Sequence, residues 1–358
     1  MVILAIETSC DETAAAIVDN GTQILSNIIS SSSAMHQQYG GIVPEIAARE
    51  QVRMIIPIIE SCLLQAGISH KQITALAVTA GPGLIGSLLV GVETAKTLSW
   101  LWQKPIIPVN HLVGHIYTNW INQSSATSHQ PAGKVRAVSQ TTVDAPRFPA
   151  VCLVVSGGHT DLVLMKGHGQ FRYLGGTRDD AAGEAFDKVA RLLNLGYPGG
   201  PAIEQAATMG NAAAFDLPRP MIDSLDWDFS FSGLKTAVLN HARNQSLPKQ
   251  FQSDMAASFQ QAIVEVLVKK TIAAAQKFKA KSIIVGGGVA ANRQLANNLQ
   301  LTINNLQLTI KLFVPSPQLA TDNAAPIATA AYFAGQPTDW RKVFADVSLS
   351  LENLASAV

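Results

Sequence analysis

Residues 2–29 read VILAIETSCDETAAAIVDNGTQILSNII. They contain three short apolar runs, Val2–Glu7, Ala14–Val18 and Ile24–Ile29, separated by polar segments. The segment between the second and third runs is Asp19-Asn20-Gly21. Asn-Gly between two apolar runs favours a two-residue hairpin turn, because both residues tolerate the backbone angles that such a turn needs. The stretch is therefore predicted to form a three-stranded meander.

The same pattern occurs a second time. Val151–Val155 is apolar and runs into the glycine turn Ser156–His159. Two further apolar runs, Leu162–Met165 and Phe171–Leu174, precede a helical segment at Ala181–Leu195. Two copies of one α/β unit favour the actin-like ATPase, or sugar-kinase-like, fold. That fold has two facing lobes, each with a mixed sheet flanked by helices, and its hairpin turns grip a nucleotide's phosphates.

The composition is that of a globular protein. Hydrophobic residues make up 47% of the 358 residues and charged residues 14%, which excludes a disordered or heptad-rich chain. A chain of this length is expected to form two lobes. The formal net charge of +1 provides no general basic field. A nucleic-acid substrate would therefore have to meet a local basic patch or a partner protein.

Cysteine usage and hydropathy favour a cytoplasmic protein. Cys10, Cys62 and Cys152 are scattered and include no Cys-x-x-Cys pair, as is typical of a reducing compartment. The most apolar long stretch, Leu84–Leu101, carries two charged residues. Because charges are costly at the centre of a bilayer, this stretch is predicted to be a buried helix, with no membrane involvement.

Three segments are predicted along the chain. Residues 1–121, together with about 321–350, would form the first lobe and carry the candidate metal ligands. Residues 122–147 are rich in Ser, Thr, Gln and Ala and lack apolar periodicity, so they are predicted to be an exposed, mobile insertion. Residues 148–320 would form the second lobe, with the nucleotide-binding loops.

Two histidines form a candidate metal site. His111 and His115 lie four residues apart, which on a helix puts both imidazoles on one face, although two ordinary polar helix residues show the same spacing. Asp322 follows an apolar run at Leu312–Val314 and precedes an alanine-rich segment. Its carboxylate could complete a two-histidine, one-carboxylate site suited to Fe(II) or Zn(II), or it could cap the following helix.

Glycine-rich turns are candidate anion sites. Successive backbone N–H groups in Ser156-Gly157-Gly158-His159 can cradle a phosphate. Gly286-Gly287-Gly288 ends an apolar strand and leads into a predicted helix at Ala290–Leu299. Glycines at such a turn allow a ligand to approach the backbone, but a plain tight turn explains them equally well.

Three further residues are ambiguous when taken alone. Gly200 lies in Pro198-Gly199-Gly200-Pro201, which is more typical of a rigid helix-capping turn than of a ligand contact. Asp187 and Glu204 lie on predicted helices, where carboxylates are most often solvated.

A set of motifs distributed along the chain resembles one known family. In chain order the motifs are Ala5-Ile6-Glu7-Thr8-Ser9-Cys10-Asp11-Glu12-Thr13, Tyr39-Gly40-Gly41-Ile42-Val43-Pro44-Glu45, Gly81-Pro82-Gly83-Leu84, His111-x-x-x-His115, Val155-Ser156-Gly157-Gly158-His159-Thr160, Asp179-Asp180-Ala181-Ala182-Gly183-Glu184-Ala185-Phe186-Asp187-Lys188, Asp228-Phe229-Ser230-Phe231-Ser232-Gly233-Leu234-Lys235, Gly287-Gly288-Val289-Ala290-Ala291-Asn292 and Thr321-Asp322-Asn323. In order and spacing this set resembles the TsaD family, whose members were formerly named O-sialoglycoprotein endopeptidases. The resemblance extends from Val2 to about the last helix.

The resemblance implies a reaction and a set of partners. Members transfer threonylcarbamoyl from threonylcarbamoyl-AMP to N6 of adenosine 37, forming t6A in tRNAs that read codons beginning with A. The bacterial members work with tRNA, with a shorter paralogue called TsaB and with the ATPase TsaE, and a separate synthase supplies the adenylate. The resemblance also implies the actin-like ATPase fold.

The resemblance further implies roles for individual residues. It places one divalent metal ion, iron or a similar metal such as zinc, on His111, His115 and Asp322. It places Asp11 and Glu12 near the reacting carbonyl. The residues that it places against threonylcarbamoyl-AMP, or an adenine nucleotide, are Val154, Val155, Ser156, Gly157, Gly158, Asp187, Gly200, Glu204 and Asn292.

Three rival functions are weaker. A zinc protease would need the general-base Glu of His-Glu-x-x-His, which His111-Leu-Val-Gly-His115 lacks. A kinase-like member of the same fold would account for the glycine loops but gives no reason for the histidine pair. A non-catalytic member would not be expected to keep His111, His115 and Asp322. One departure from the family pattern is Gln51, where a His is frequent, and the sequence assigns no role to it.

The predicted insertion can be tested by deletion. Replacing residues 122–147 with a short Gly/Ser linker is expected to leave the melting temperature nearly unchanged, because long surface loops add little closure entropy. Thermal unfolding of the two proteins side by side measures this. A large fall in melting temperature would mean that the segment packs against the rest of the protein.

Overall fold

A computed structural model of the protein describes residues 1–36, 39, 41–122, 144–243 and 246–355. The chain divides into two compact units. Unit 1 comprises Met1–Ala145, His168–Gln170 and Pro315–Val358, and unit 2 comprises Pro146–Gly167 and Phe171–Val314. The predicted insertion, residues 122–147, lies for the most part outside the described residues. At its end, Pro146 is buried and the N–H of Arg147 donates to Ser282 Oγ.

Unit 1 contains five strands and several helices. The strands are β1 (Val2–Glu7), β2 (Glu12–Asp19), β3 (Gln23–Ser31), β4 (Ala75–Gly81) and β5 (Ile106–Asn110). The helices are α1 (Ser33–His36), α2 (Pro44–Ala66), α3 (Ile85–Trp102), α4 (His111–Tyr117), α10 (Pro317–Ala320), α11 (Ala325–Ala334) and α12 (Leu351–Ala355), with 3-10 turns at His70–Gln72, Thr118–Trp120 and Trp340–Lys342.

The predicted meander is present in unit 1. β1 pairs antiparallel with β2, which pairs antiparallel with β3. Asn20 and Gly21 both have positive φ, at 49° and 69°, as the hairpin turn requires. β1 also pairs in parallel with β4, and the sheet order is β3-β2-β1-β4-β5. β1 and β4 are almost fully buried, as expected of inner strands with both faces covered.

Unit 2 contains the other five strands. These are β6 (Ala150–Val155), β7 (Thr160–Gly167), β8 (Gln170–Gly176), β9 (Ser282–Gly286) and β10 (Lys311–Phe313). The helices are α5 (Ala182–Leu192), α6 (Gly199–Ala207), α7 (Ser232–Ala242), α8 (Lys249–Lys277) and α9 (Arg293–Asn305), with a 3-10 turn at Gly288–Ala291. α8 is buried on most sides, and its own alanine, valine and isoleucine side chains form part of the core of this unit.

The two sheets share one topology. The order β10-β9-β6-β7-β8 in unit 2 repeats β5-β4-β1-β2-β3 in unit 1. β6 pairs antiparallel with β7 and parallel with β9, as β1 does with β2 and β4. The prediction of a duplicated α/β unit of the actin-like type, each with a mixed sheet flanked by helices, is therefore confirmed.

One predicted element differs in its start. The helix expected at Ala290–Leu299 begins only at Arg293, since Gly288–Ala291 forms a 3-10 turn. The reason is Asn292, whose side-chain oxygen accepts a hydrogen bond from Leu295 N–H and so caps the first turn. Among the described helices, none is both long enough and apolar enough to span a bilayer.

Helix α3 packs closely on the turn that follows β1. Thr8 Oγ1 donates to the carbonyl of Ser87 at 2.8 Å, and Ser87 Oγ donates to the carbonyl of Cys10 at 3.1 Å. Gly91 lies one turn further along α3, where an added Cβ would be 2.3 Å from Thr8 Oγ1. A side chain larger than hydrogen would therefore push α3 away from the turn.

The close contact at Gly91 predicts a cost for Gly91→Ala. The overpacked methyl group is expected to lower the free energy of unfolding by about 1–3 kcal/mol. This loss exceeds the gain of about 1 kcal/mol that alanine brings through its higher helix propensity. Urea unfolding measures the difference. Gly233→Ala is the control, because in α7 the nearest atom to an added Cβ is 3.8 Å away, so this variant should be as stable as the native protein or more so. Equal stability of both variants would contradict the packing argument.

Candidate metal centre and ligand-binding loops

Helix α4 brings the two histidines onto one face. Asn110 ends β5 and caps the helix, since its side-chain oxygen accepts from Leu112 N–H at 2.8 Å and from Val113 N–H at 3.3 Å. The helix consequently starts at His111, and His115 lies one turn later with the ring centroids 4.5 Å apart. His115 is 4% exposed and His111 12%. Both imidazoles are thus held in a largely water-excluded position.

A carboxylate from the distant segment between α10 and α11 faces these imidazoles. Asn323 holds the segment in place, because its Nδ2 donates to the carbonyls of Leu319 and Thr321 and its Oδ1 accepts from Ala325 N–H. Helix α11 has no side-chain cap at its start. The N-cap position is Ala324, and the side-chain bond to Ala325 N–H comes from Asn323, the neighbour of Asp322.

The three side chains converge on one point. His115 Nε2 lies 3.4 Å and His111 Nε2 3.5 Å from Asp322 Oδ1. One ligand atom of each residue lies within 4.8 Å of the others, the arrangement needed to hold one metal ion. His115 Nε2 is buried and has no hydrogen-bond partner among the described residues. A buried, unpaired imidazole nitrogen aimed at a carboxylate fits a metal ligand, because a coordinate bond satisfies it.

Glu7 lies behind the first histidine. The carboxylate is 1% exposed, and its Oε2 is 3.0 Å from His111 Nδ1. Burial would raise the pKa of Glu7, but the charge and hydrogen bond of His111 outweigh burial and lower it. Burial likewise would lower the pKa of His111, but Glu7 and Asp322 raise it to about 9. A metal ion must displace the resulting proton, so its binding weakens as the pH falls.

Asp11 lies in the turn between β1 and β2, and Glu12 is the first residue of β2. Burial, followed by the hydrogen bond and charge of Asp11, raises the pKa of Glu12 to about 9, so Glu12 keeps its proton at neutral pH. Gln51 holds this turn from α2. Its Nε2 donates to the carbonyl oxygens of Cys10 at 3.0 Å, Glu12 at 3.1 Å and Thr8 at 3.4 Å. These three hydrogen bonds give Gln51, to which the sequence assigned no role, the structural role of holding this turn.

Unit 2 places the glycine turn Ser156–His159 between two other glycines. An added Cβ at Gly183 would be 2.4 Å from the carbonyl oxygen of Ser156, and one at Gly287 would be 2.3 Å from that of Val155. In contrast, an added Cβ at Gly157, Gly158, Gly200 or Gly288 meets nothing within 4 Å. The first pair of glycines permits close packing, and the second group borders open space where a ligand can approach the backbone.

Two other predicted ligand residues of unit 2, Asp187 and Glu204, bond to the sequence neighbours of two more. Asp187 Oδ1 accepts from Gly199 N–H at 2.7 Å, beside Gly200. Glu204 Oε1 accepts from Arg293 N–H at 2.9 Å, beside Asn292. The side chains of Val154 and Val155 are fully buried in β6, so these two residues can contact a ligand only through their backbone. Burial raises the pKa of Asp187.

Comparison with known proteins decides the family. The family model for TsaD, tRNA N6-adenosine threonylcarbamoyltransferase, matches residues 23–139 and 131–329. The protein of that name from Thermomicrobium roseum is 50% identical, covering 98% of this chain and 95% of that protein. The one from Syntrophomonas wolfei is 50% identical, covering 92% and 91%. The chain belongs to the TsaD family. The prediction of a transferase that modifies adenosine in tRNA is thereby confirmed.

Solved structures support the fold of this TsaD-family chain. HypF from T. kodakarensis is similar with a TM-score of 0.58 at 12% identity, covering 92% of this chain and 47% of HypF. A full-length HypF in the phosphate- and nucleotide-bound form gives a TM-score of 0.54 at 11% identity, covering 92% and 46%. At these identities the likeness concerns the fold alone.

Sequence reasoning missed several residues that shape this TsaD-family site. Glu7 and Gln51 received no role, and Asn323 was overlooked beside Asp322. A signal existed for Glu7, because a carboxylate that ends an apolar, buried strand requires a polar partner. No sequence signal identified Gln51, since its three acceptors are backbone carbonyls that any residue provides.

The geometry predicts that Asp322→Asn loses metal affinity without loss of fold. The amide is a weaker ligand than the carboxylate. Loss of a residue that only hydrogen-bonds to a metal ligand lowers metal affinity roughly 10–100-fold, so loss of a ligand should lower the affinity for Co²⁺ by more than that. Absorbance titration of the metal-free proteins measures this, and thermal unfolding checks the fold. Asp346→Asn is the control, because that carboxylate binds Ser348 on an exposed loop. Native metal content together with full transfer activity in Asp322→Asn would show that the site is wrong.

Proposed function

We propose that this chain transfers threonylcarbamoyl from threonylcarbamoyl-AMP to N6 of adenosine 37, in tRNAs that read codons beginning with A. The observation that carries the proposal is the convergence of His111, His115 and Asp322 on one point, in a chain of the TsaD family. A three-ligand set leaves coordination positions open for substrate oxygens, whereas a structural metal site usually has four protein ligands.

The glycine-lined loops of unit 2 are the proposed site of the adenylate. Backbone N–H groups near Gly157 and Gly158 would bind its phosphate, with open space at these residues as support. Asp187, Gly200, Glu204 and Asn292 would bind the nucleoside. In support, Asp187 accepts a hydrogen bond from Gly199, next to Gly200, and Glu204 accepts one from Arg293, next to Asn292. Asn292 uses its own amide to cap α9 and to bind Gln260, so its position is well defined.

The proposed chemistry is an acyl transfer. The adenine N6 forms a bond to the carbamoyl carbon, the bond from that carbon to the phosphate oxygen breaks, and AMP leaves. N6 gives up one proton, for which Asp11 is the proposed acceptor. Glu12 keeps its own proton, and its hydrogen bond with Asp11 is proposed to hold Asp11 in position near the reacting group. Because the mixed anhydride is already activated, positioning and charge stabilisation carry most of the catalysis.

The proposed cofactor is one divalent metal per chain, held by His111, His115 and Asp322. When bound, it supplies a Lewis acid that polarises a carbonyl oxygen. Two imidazoles and one carboxylate suit Fe(II), which is our proposal, and Zn(II) fits the same ligand set.

The proposed partners are tRNA, a TsaB-like paralogue and a TsaE-like ATPase, with the adenylate coming from a separate synthase. Support for a protein partner comes from exposed apolar residues on two helices of unit 1. Val52 and Ile56 lie one turn apart on α2, and Ile85 and Leu89 one turn apart on α3, each at least 45% exposed. The proposed location is the cytoplasm, in agreement with three free cysteines.

The proposed function is tested by reconstitution. The native chain, with the TsaB-like and TsaE-like proteins of the same organism, threonylcarbamoyl-AMP and tRNA, is expected to produce t6A detectable by mass spectrometry of nucleosides. A tRNA with guanosine at position 37 is the control and should yield none. Absence of product from the complete mixture, or equal product from the control tRNA, would refute the proposal.

The proton on Glu12 predicts different effects for two substitutions. Glu12→Gln preserves an uncharged, hydrogen-bonding group, so the single-turnover transfer rate should stay within about tenfold of native. Asp11→Asn removes the proposed proton acceptor and should lower the rate by about 100-fold or more. If Glu12→Gln loses as much activity as Asp11→Asn, Glu12 acts as an ionised carboxylate and the assignment is wrong.

A further inference from the structure

The buried Glu7 carboxylate connects the candidate metal ligand His111 to the core of unit 1. Glu7 is the last residue of β1, and α4 lies beyond the end of β5 in the same sheet. Oε2 lies 3.0 Å from His111 Nδ1 and accepts from Thr79 Oγ1 at 2.6 Å. Oε1 accepts from the N–H of Ser9 at 2.6 Å. Both oxygens are therefore engaged, and the carboxylate has a single orientation.

We infer that Glu7 is a positioning residue that holds the proton of His111 on Nδ1, so that Nε2 presents its lone pair to the metal. A neutral imidazole has one N–H and one lone pair, and its partners decide which nitrogen carries which. Glu7 Oε2 is an acceptor, so the facing Nδ1 has to donate. Nε2, on the opposite side of the ring, is the atom that points to Asp322 at 3.5 Å. This inference rests on the proposed metal site.

The surrounding donors make the charged carboxylate necessary. The backbone N–H of Ser9 can only donate. In Glu7→Gln, the side-chain amide oxygen of the new glutamine would therefore face Ser9 N–H. The amide NH₂ would then face His111 Nδ1 and Thr79. The hydroxyls of Thr79 and of Ser9, whose Oγ also lies 3.2 Å from His111 Nδ1, can rotate to accept. Nδ1 can accept from the amide NH₂ only by giving up its proton to Nε2. The substitution keeps the size of the side chain and reverses the direction of one hydrogen bond.

The test measures the affinity of the full-length, metal-free protein for Co²⁺, by absorbance titration against a competing chelator. Glu7→Gln is expected to bind Co²⁺ about 10–100-fold more weakly than native, with the altered visible spectrum of a lost nitrogen ligand. Its melting temperature without metal should stay close to native. Asp161→Asn is the matched control, a buried carboxylate of unit 2 that accepts from Tyr173 Oη, and it should bind Co²⁺ as native does.

A double-mutant cycle separates positioning from charge. If Glu7 acts through His111, Glu7→Gln should cause no further loss once His111→Ala is present, within about twofold. If Glu7 acts only as a nearby negative charge, the two losses add, and the inference is overturned. Native affinity in Glu7→Gln would also overturn it. Native affinity in His111→Ala would instead refute the proposed metal site itself, so the two failures are distinguishable.

A measurement on the native protein covers the case in which Glu7→Gln does not fold. Nitrogen-15 spectra of histidine-labelled, Zn²⁺-loaded protein report which ring nitrogen carries the proton, and His111→Ala identifies the signal. The inference requires a protonated Nδ1 and a metal-bound Nε2 for His111. The opposite pattern would overturn it.

Discussion

The close approach of α11 to α4 is the contact on which the candidate metal site depends. Gly114 lies between the two histidines, and an added Cβ there would be 2.6 Å from Ile327 Cδ1. The missing side chain lets α11 lie against α4, and the segment just before α11 carries Asp322. Helix axes packed over small side chains approach more closely than the usual 8–10 Å. A histidine pair without this glycine would still share a helix face but would not meet the carboxylate at the same distance.

The turn after β1 is held from several directions within unit 1. α3 contacts it through Thr8 and Gly91, α2 reaches it through Gln51, and Glu7 binds the backbone of Ser9. A turn with so many buried partners has few alternative conformations, which is the condition for presenting Asp11 and Glu12 in fixed positions. The same contacts account for the burial of polar groups here, since each buried donor or acceptor needs a partner.

Local patterns predicted the fold well, and long-range contacts account for what they did not predict. The Asn20-Gly21 hairpin and the strand-turn-strand repeat rest on short-range chemistry, and both are present in the structure. The spacing of His111 and His115 likewise implied a shared face. Sequence spacing says nothing about which carboxylate completes a site some 200 residues away, nor about a glutamine that bonds only to backbone. The sequence offered Asp322 as one candidate third ligand, the family resemblance singled it out, and only the fold shows how Asn323 orients it.

The discontinuity of unit 1 has a consequence for the order of assembly during translation. At about 5–20 residues per second, the ribosome delivers His111 and His115 roughly 10–40 s before Asp322. All of unit 2 is made in that interval, whereas unit 1 waits for Pro315–Val358 to supply α11. A metal ion held by all three side chains binds and stabilises only chains whose synthesis has passed Asp322. A chain truncated before Asp322 would carry the two histidines without the carboxylate, and would hold such an ion less tightly than the full-length chain.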